Sequence, residues 1–259
     1  MPGLIVNGTI TRTKVAPGAD LVGYSGFSAS NYLEQPVNTG LDFGTGDFAI
    51  MGWLKQAANT AVETILERDS AVSAQRFTLA VDASGYLTFT CDDDTTARTA
   101  TSNRVVDNDV WTHFVALYDG AGDVKIYLNG VLDDTETGSA LLTLNNASAV
   151  LNVGLAVDGA EPLANADLAL LRISATVPSD SQIRKIYEDE KFLFQDYAQA
   201  TLYGASDAVT ALAHDPVTDL LHVGTSAGRS VFQGLRRVDN TTDAVGTAIS
   251  ASNNLIVEE

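Results

Sequence analysis

The sequence predicts an all-β chain: an antiparallel β-sandwich with one short closing helix and a small β-rich segment at the C-terminus. Apolar and polar residues alternate in short runs, which is typical of strands with one buried face. Turn residues such as Asn129-Gly130 separate these runs about every ten residues, the spacing expected of a sandwich or a barrel. A single stretch, within 178–195, has apolar residues at helical spacing instead.

The clearest hairpin of the sequence lies around the turn at 119–122, between aromatic-rich alternating runs at 111–118 and 124–128. Comparable runs recur as far as residue 174. A short run at 4–11 is also β-like, so it can pair with a sheet edge or anchor the protein. The predicted strands are 32–36, 47–55, 62–68, 75–81, 85–91, 111–118, 123–129, 149–155 and 165–174.

The stretch PSDSQIRKIYEDEKFLFQ predicts the helix that closes the sandwich. Ile183, Ile186 and Tyr187 recur at helical spacing. Ser-Asp-Ser at 179–181 precedes them, and any of these three residues can cap a helix. The predicted domains are therefore an N-terminal arm or anchor at 1–30, the sandwich at 31–194 and a C-terminal oligomerisation or attachment segment at 195–259.

The C-terminal segment predicts about three short strands within 208–238, around turns at Asp215-Pro216 and at 226–228. A lone sheet of that size buries too little apolar area to offset about 1–2 kcal/mol of backbone entropy per residue. We therefore expect it to pack on the sandwich or on copies of itself. The prediction is a homo-oligomer, with a trimer favoured.

Charge and hydropathy exclude several partners. Lys and Arg total 15 against 33 Asp and Glu, a formal net charge of −18. Such a charge repels phosphate backbones and anionic membrane surfaces, so neither a nucleic-acid partner nor membrane insertion is expected. The apolar run at 4–6 is too short for a signal peptide, so we expect synthesis in the cytoplasm. The sequons at Asn7, Asn146 and Asn240 are then chance matches.

Several motifs occur in an order that resembles the laminin-G-like, concanavalin-A-type jelly roll. They are GDFAIMGWLK, ETILERD, RFTLAVDASGYLTFT, DNDVWTHFVALYDGAGDVKIYLNGVLDD, AVLNVGLAV and ADLALLRISATVPSDSQIRKIYEDE, and they span roughly 28–194. The resemblance implies an antiparallel jelly roll of two sheets, with Trp53 and Trp111 as core anchors. It also implies that the strand and helix at 167–190 close the fold, and that the domain is lectin-like or a glycosidase.

The tail at 203–259 resembles C-terminal segments of tailed-bacteriophage structural proteins, in which such jelly rolls serve as adhesion or decoration modules. Part of it also resembles a single propeller blade, and propellers need several blades, which favours pairing between chains. Our first hypothesis is therefore a non-enzymatic virion protein, a head decoration, fibre or tail adhesion component that contacts other virion proteins. Displayed copies would bind a host glycan through many weak contacts. The alternatives are a soluble calcium-assisted lectin and a polysaccharide hydrolase or lyase.

The carboxylates of the sequence do not form a recognisable catalytic pair. Retaining hydrolysis needs two carboxyl groups about 5–5.5 Å apart. Glu63 and Glu67 can share a strand face, but Ile65 stands between them where a further acid is expected. We expect both to be solvated strand positions and the acids at 188–190 to lie on a solvated helix face. No catalytic residue is assigned.

The single cysteine and the three histidines are expected to be structural. Cys91 should be an inert core residue, because the aspartates at 92–94 raise the pKa of its thiol. His113 should be a buried, hydrogen-bonded core residue. His214 and His222 flank a turn and can meet across chains at a symmetry axis, although a metal site there is not favoured.

The sequence offers two kinds of candidate binding residue, calcium ligands and sugar platforms, but no ligand-binding residue is assigned. The resemblance implies that loop aspartates can hold a structural Ca²⁺, although the sequence has no regular Asp-x-Asn/Asp-x-Asp-Gly loop. Surface tyrosines can form sugar platforms, although packing is favoured at each. The candidate calcium ligands are Asp42, Asp47, Asp69, Asp158 and Asp167. The candidate platforms are Tyr24, Tyr32, Tyr86, Tyr118 and Tyr203.

Overall fold

A computed structural model confirms the all-β jelly-roll sandwich and the smaller C-terminal sheet. The described residues form two seven-stranded sheets, one four-stranded sheet and one two-stranded hairpin. The chain divides into two compact units, Met1–Thr13 with Gly23–Tyr187 and Lys14–Val22 with Glu188–Glu259. The structure describes residues 3–70, 75–206, 208–246, 249–252 and 255–258.

Sheet A is antiparallel and has one buried face. In strand β8 (Tyr86–Asp93), Leu87, Phe89 and Cys91 are buried while the residues between them are half-buried. This alternation is expected where one face packs on the core and the other meets solvent. The sheet runs in the order β1 (Ile5–Asn7), β4 (Tyr32–Gln35), β13 (Val150–Val153), β6 (Glu63–Asp69), β7 (Gln75–Val81), β8 (Tyr86–Asp93) and β9 (Ala97–Val105).

Sheet B is buried on both faces at its centre. Every residue of β10 (Thr112–Tyr118) is buried, as is every residue of β5 (Phe48–Gln56) except Lys55. Both strands read as near-continuous apolar runs, as expected for strands covered on each side. The sheet runs in the order β12 (Val131–Glu136), β11 (Val124–Leu128), β10 (Thr112–Tyr118), β5 (Phe48–Gln56), β14 (Ala166–Ser174), β3 (Val22–Ser25) and β2 (Thr11–Lys14).

Aromatic rings fill the core between the two sheets. The ring of Phe48 stacks on Phe43 at 4.5 Å between centroids and lies 5.0 Å from Phe77. Tyr118 is also fully buried there, and its hydroxyl accepts a hydrogen bond from the Leu141 amide at 2.9 Å. Tyr118 was expected as a possible surface platform, and this is wrong. It lies four residues from Phe114, so both side chains point to the same core-facing side of β10.

The predicted helix forms as α1 (Asp180–Glu190). Ser179 and Gln182 make a capping box at its N-terminus: the Gln182 amide donates to Ser179 Oγ at 3.3 Å, and the Ser179 amide donates to Gln182 Oε1 at 2.8 Å. Ile183 is fully buried against the outer face of sheet B, in a cluster with Met51 and Val115. The helix therefore covers that face.

Strands β9 and β12, which were not predicted, join the edges of the two sheets. The carboxylate of Asp133 accepts from the Asn103 amide at 2.6 Å and from Arg104 Nε at 2.6 Å. Asp134 accepts from the Thr101 amide at 3.1 Å. These aspartates satisfy backbone donors along an edge strand, which are otherwise free to pair with another chain.

The second unit contains an antiparallel four-stranded sheet, one strand more than predicted. Val223, Val231 and Phe232 are buried in it, and Val245 packs closely on Gly224. Its strands are β15 (Val209–Asp215), β16 (Leu220–Thr225), β17 (Gly228–Gln233) and β18 (Arg236–Thr241), and a hairpin of β19 (Ile249–Ser252) and β20 (Leu255–Glu258) follows.

The segment predicted as an N-terminal arm supplies strands to the sandwich. Strand β1 pairs with β4 at the edge of sheet A, and β3 pairs with β14 in sheet B. Residues 14–22 belong to the second unit instead. Pairing of this kind needs only extended backbone and a free edge, which the sequence pattern does not locate.

Candidate functional site: the open face of sheet A

The outer face of sheet B is closed by α1. Trp53 is 2 % exposed and stacks on Tyr187 of the helix at 5.8 Å between ring centroids. Trp53 therefore anchors the layer between sheet and helix, not the core between the sheets as the resemblance implied. Trp111 is half-buried, with its ring close to Gly23. The helix therefore covers this face where Ile183 and Tyr187 pack.

The outer face of sheet A, in contrast, carries a row of polar side chains across six strands. Strand pairing places each member directly opposite the next. Such neighbours have Cβ atoms about 4.5–5.5 Å apart, so their polar groups form one surface. We call this set the polar row; it consists of Glu34, Asn152, Glu67, Thr78, Thr90 and Thr99.

Hydrogen bonds between strands hold the polar row in place. Thr78 Oγ1 donates to Glu67 Oε1 at 2.9 Å, and the hydroxyls of Thr90 and Thr99 share a hydrogen bond at 2.8 Å. All of the row except Asn152 and Thr99 is half-buried, and Thr99 is exposed. The row therefore presents positioned hydroxyl and carboxylate groups to solvent, which are the groups that bind sugar hydroxyls.

The loop at 154–163 reaches the polar row at Glu67. The Val157 amide donates to Glu67 Oε2 at 2.6 Å. Burial raises the pKa of Glu67, the hydrogen bonds from Val157 and Thr78 oppose this, and the charges of Asp69 and Asp158 raise the pKa further. Glu67 thus lies at the centre of the negative charge on this face.

Asn152 lies directly opposite Glu67 and is 4 % exposed. Its Nδ2 donates to the Ala156 carbonyl at 3.5 Å, whereas its Oδ1 has no hydrogen-bond partner among the described residues. A buried acceptor without a donor is costly, so this atom requires a donor from water or from a ligand.

A β-bulge separates the two glutamates that were considered as a catalytic pair. Strand β6 shifts register between Thr64 and Leu66, so Glu63 pairs with Val81 on the inner face while Glu67 lies on the outer face. Two carboxylates on opposite faces of a sheet cannot flank one glycosidic bond. The expectation that both are solvated is wrong, because Glu63 is 4 % exposed and Glu67 is half-buried.

The buried carboxylate of Glu63 has structural partners. Gln56 Nε2 donates to it at 3.0 Å, Asn165 Nδ2 at 2.6 Å and the Asn165 amide at 3.2 Å. Gln56 belongs to sheet B, so this carboxylate joins the two sheets at one end of the core. Its oxygens are occupied by these donors, as a buried charge requires.

His113 is fully buried, as predicted, but it is not hydrogen-bonded. Neither ring nitrogen has a partner among the described residues. The ring lies 5.3 Å from Trp53 and 6.0 Å from Tyr187. Burial lowers the pKa of His113 to about 4, and the positive charge of Arg172 adds to the effect. The imidazole is therefore neutral at physiological pH.

The other reactive side chains occupy structural positions. Cys91 is fully buried, and burial, rather than its aspartate neighbours, raises the pKa of its thiol. His214 is exposed and its Nε2 lies 3.0 Å from Asp219 Oδ1. His214 and His222 lie on opposite faces of the C-terminal sheet, because His222 pairs with the neighbour of His214, Ala213. They do not meet within the chain.

The candidate calcium ligands are dispersed. Asp42 forms an ion pair with the fully buried Arg68 and accepts from the Asn146 amide at 3.0 Å. Asp69 and Asp158 lie on the open face near Glu67. Among the described residues, no group of three or more His, Cys, Asp or Glu side chains is placed to hold a metal ion.

Of the other tyrosines, Tyr32 and Tyr86 lie on strands of sheet A, are half-buried and share the outer face with the polar row. Tyr24 packs under Arg12 in sheet B, and Tyr203 under Arg237 in the second unit. The pattern that would have indicated the polar row is the alternation of Thr88, Thr90 and Asp92 in β8. None of the helices among the described residues has the length and apolar composition needed to cross a membrane.

Comparison with known proteins places this geometry in a family. Many solved structures share the fold, among them the following three. A structure from a study of the entry of botulinum neurotoxin type C through two ganglioside molecules has 15 % identity and a TM-score of 0.57, covering 89 % of this chain and 56 % of that one. The binding domain of Paraclostridial Mosquitocidal Protein 1 has 12 % identity and a TM-score of 0.59, covering 99 % and 68 %.

Domain 4 of AbnA, a GH43 extracellular arabinanase from Geobacillus stearothermophilus, was solved with arabinotriose and has 17 % identity and a TM-score of 0.54, covering 71 % of this chain and 87 % of that one. No curated protein matches the chain. The model of one family matches residues 27–184, more than half of the sequence. The chain belongs to the Concanavalin A-like lectin/glucanases superfamily.

Proposed function

We propose that this protein is a non-catalytic glycan-binding module whose binding surface is the polar row of sheet A. The observation that carries the proposal is the contrast between the outer faces: α1 covers sheet B, whereas sheet A presents an ordered row of hydrogen-bonding groups. The structure from the study of neurotoxin entry that depends on two ganglioside molecules, and the arabinanase domain solved with arabinotriose, support it by fold. The separation of Glu63 from Glu67 by the bulge disfavours the hydrolase alternative.

Removing hydroxyls from the polar row tests the proposal. Thr78→Val and Thr90→Val keep the side-chain shape and the strand propensity. We expect each to weaken binding to a glycan found on an array by about tenfold, equivalent to about 1.4 kcal/mol. The matched control is Thr137→Val, an exposed threonine outside sheet A, which should leave binding unchanged. Equal affinity of all three variants, measured by titration calorimetry, would place the site elsewhere.

The setting of this module is a second part of the proposal. We infer a phage virion protein, displayed as a homotrimer among other virion proteins, with the second unit as its attachment segment. What supports this is the resemblance of the tail at 203–259 to phage structural proteins and the avidity that repeated display gives weak sites. Antibody labelling of assembled particles by electron microscopy tests the location. Light scattering tests the trimer, and a monomer would contradict it.

A further inference from the structure

We propose that the open face of sheet A selects uncharged or amine-bearing glycans and rejects anionic ones. The inference rests on the glycan-binding function proposed above and concerns the ligand class of the same surface. Two independent features of the face carry it: the balance of charge and a buried acceptor, Asn152 Oδ1, that has no donor among the described residues.

The charge on this face is negative and uncompensated. Arg76 is the one basic side chain that the described strands β4, β13, β6, β7 and β8 place on it, and Arg76 pairs with Asp92 at 3.4 Å. Glu161 lies over the same face, because its carboxylate accepts from Thr64 Oγ1 at 3.3 Å. Five carboxylates on this face have no basic partner within the part of the chain that the structure describes: Glu34, Glu67, Asp69, Asp158 and Glu161.

An anionic ligand on the polar row would lie within the screening distance of several of these carboxylates, which is about 8 Å at physiological salt. The described strands β4, β13, β6, β7 and β8 offer it no unpaired cation, so contacts with these carboxylates would oppose binding. A ligand without charge avoids this repulsion, and an ammonium group gains attraction.

The hydrogen-bonding groups of this face favour the same class of ligand. Asn152 Oδ1 is buried and has no donor among the described residues, and it lies directly opposite Glu67. The Glu67 oxygens already accept from Thr78 and Val157, and any further hydrogen bond to them must also come from a donor. Both side chains therefore favour a ligand that supplies donors. Sugar hydroxyls and ammonium groups supply donors, whereas carboxylate, sulfate and phosphate groups supply acceptors only.

The test uses the full chain and three oligosaccharide series of matched length: neutral arabino-oligosaccharides, chitosan oligosaccharides with free amines, and oligogalacturonides. We expect the neutral or amine-bearing series to bind at least about tenfold more tightly than the acidic one. Binding of chitosan oligosaccharides should weaken with added salt, and binding of neutral ones should not. Acidic oligosaccharides that bind as tightly as neutral ones overturn this inference and leave the proposed function intact. Binding of no glycan on this panel or on an array overturns both.

A charge variant separates repulsion from shape. Asp69→Asn with Asp158→Asn removes two charges beside Glu67 without changing side-chain size. We expect affinity for oligogalacturonides to rise about tenfold while affinity for neutral oligosaccharides stays within about twofold. The control Glu136→Gln with Asp243→Asn removes two charges elsewhere and should change neither. An unchanged affinity for oligogalacturonides in the first variant contradicts the role of charge.

Discussion

The outer faces of the two sheets belong to the same fold but differ in burial. The helix covers the outer face of sheet B, whereas the outer face of sheet A is partly exposed to solvent. In β5 of sheet B, Ala49, Met51 and Trp53 alternate with the core residues, so the strand is apolar on both sides and α1 covers its outer face. In β8 of sheet A, Thr88 and Thr90 take the equivalent positions and are only half-buried. The face that cannot bury apolar area is the face left for binding.

The largest difference between the faces should appear when an aromatic ring is removed. Trp53→Ala leaves a cavity under α1, and we expect a loss of about 3–5 kcal/mol in the free energy of unfolding. The matched change on the open face, Tyr86→Ala, should cost about 1 kcal/mol or less because that ring is half-buried. Urea denaturation measures both, and similar losses would contradict the division into a covered and an open face.

The two faces should also respond to acid in opposite directions. The pKa of His113 falls from 6.5 to about 4 on folding, so the unfolded chain binds more protons between these values. Stability from neutral His113 is present above pH 6.5 and is lost as the pH falls through the folded pKa. Between about pH 7 and about pH 5 we expect a loss of about 2 kcal/mol from this group.

His113→Phe isolates that effect. Phenylalanine keeps the ring packing, and no hydrogen bond is lost because neither nitrogen has a partner among the described residues. The variant should be as stable as the parent protein at neutral pH and less sensitive to pH between 6.5 and 4. A variant with the same pH dependence as the parent would show that other groups cause the acid sensitivity.

A smaller effect is expected at the N-terminus of the helix that covers sheet B. Ser179→Ala removes the cap that receives the Gln182 amide, at a cost of about 1 kcal/mol. The control Ser139→Ala, in an exposed loop, should change stability by less than about 0.5 kcal/mol. Thermal unfolding followed by circular dichroism measures both. A loss as small as that of the control would show that the cap does not stabilise the covering helix.

The smallest effect concerns Glu67 on the open face. Folding raises the pKa of Glu67 above its ordinary value of 4.5. Around and above pH 4.5 the folded protein therefore binds more protons than the unfolded chain. The contribution of Glu67 to stability falls as the pH rises through this range. Glu67→Gln removes that cost and keeps an acceptor for Thr78, but it places an NH2 group where the carboxylate accepts from the Val157 amide. These two effects oppose each other, so we expect a net change within about 1 kcal/mol at neutral pH. A larger loss, measured by urea denaturation, would mean that the hydrogen bond from Val157 outweighs the cost of the buried charge.

The elements that sequence patterns predicted are those with a regular hydrophobic period. The alternation in β8 and the helical spacing of Ile183, Ile186 and Tyr187 correspond directly to the strand and helix observed. Strands β9 and β12 have no such period. They pair with β8 and β11, and Asp133 and Asp134 of β12 accept hydrogen bonds from the β9 backbone. Such partners are not visible in local sequence.

Sequence patterns did not predict the polar row, for a related reason. The register shift at Ile65 sends Glu63 inward and Glu67 outward, although their spacing suggested a common face. Asn152 and Glu67 are far apart in sequence and become neighbours only through pairing of β13 with β6. The polar residues of β8 were visible as a pattern, but the side chains opposite them were not.

By itself, the sequence determined the class of fold, the closing helix and the strong negative charge, because these depend on local period, capping residues and composition. Only the tertiary structure decided which sheet face the helix covers, which glutamate faces solvent and which polar side chains form one surface. The physical reason is that strand register and sheet pairing join residues distant in sequence, and a shift of one residue reverses the side to which every later side chain points.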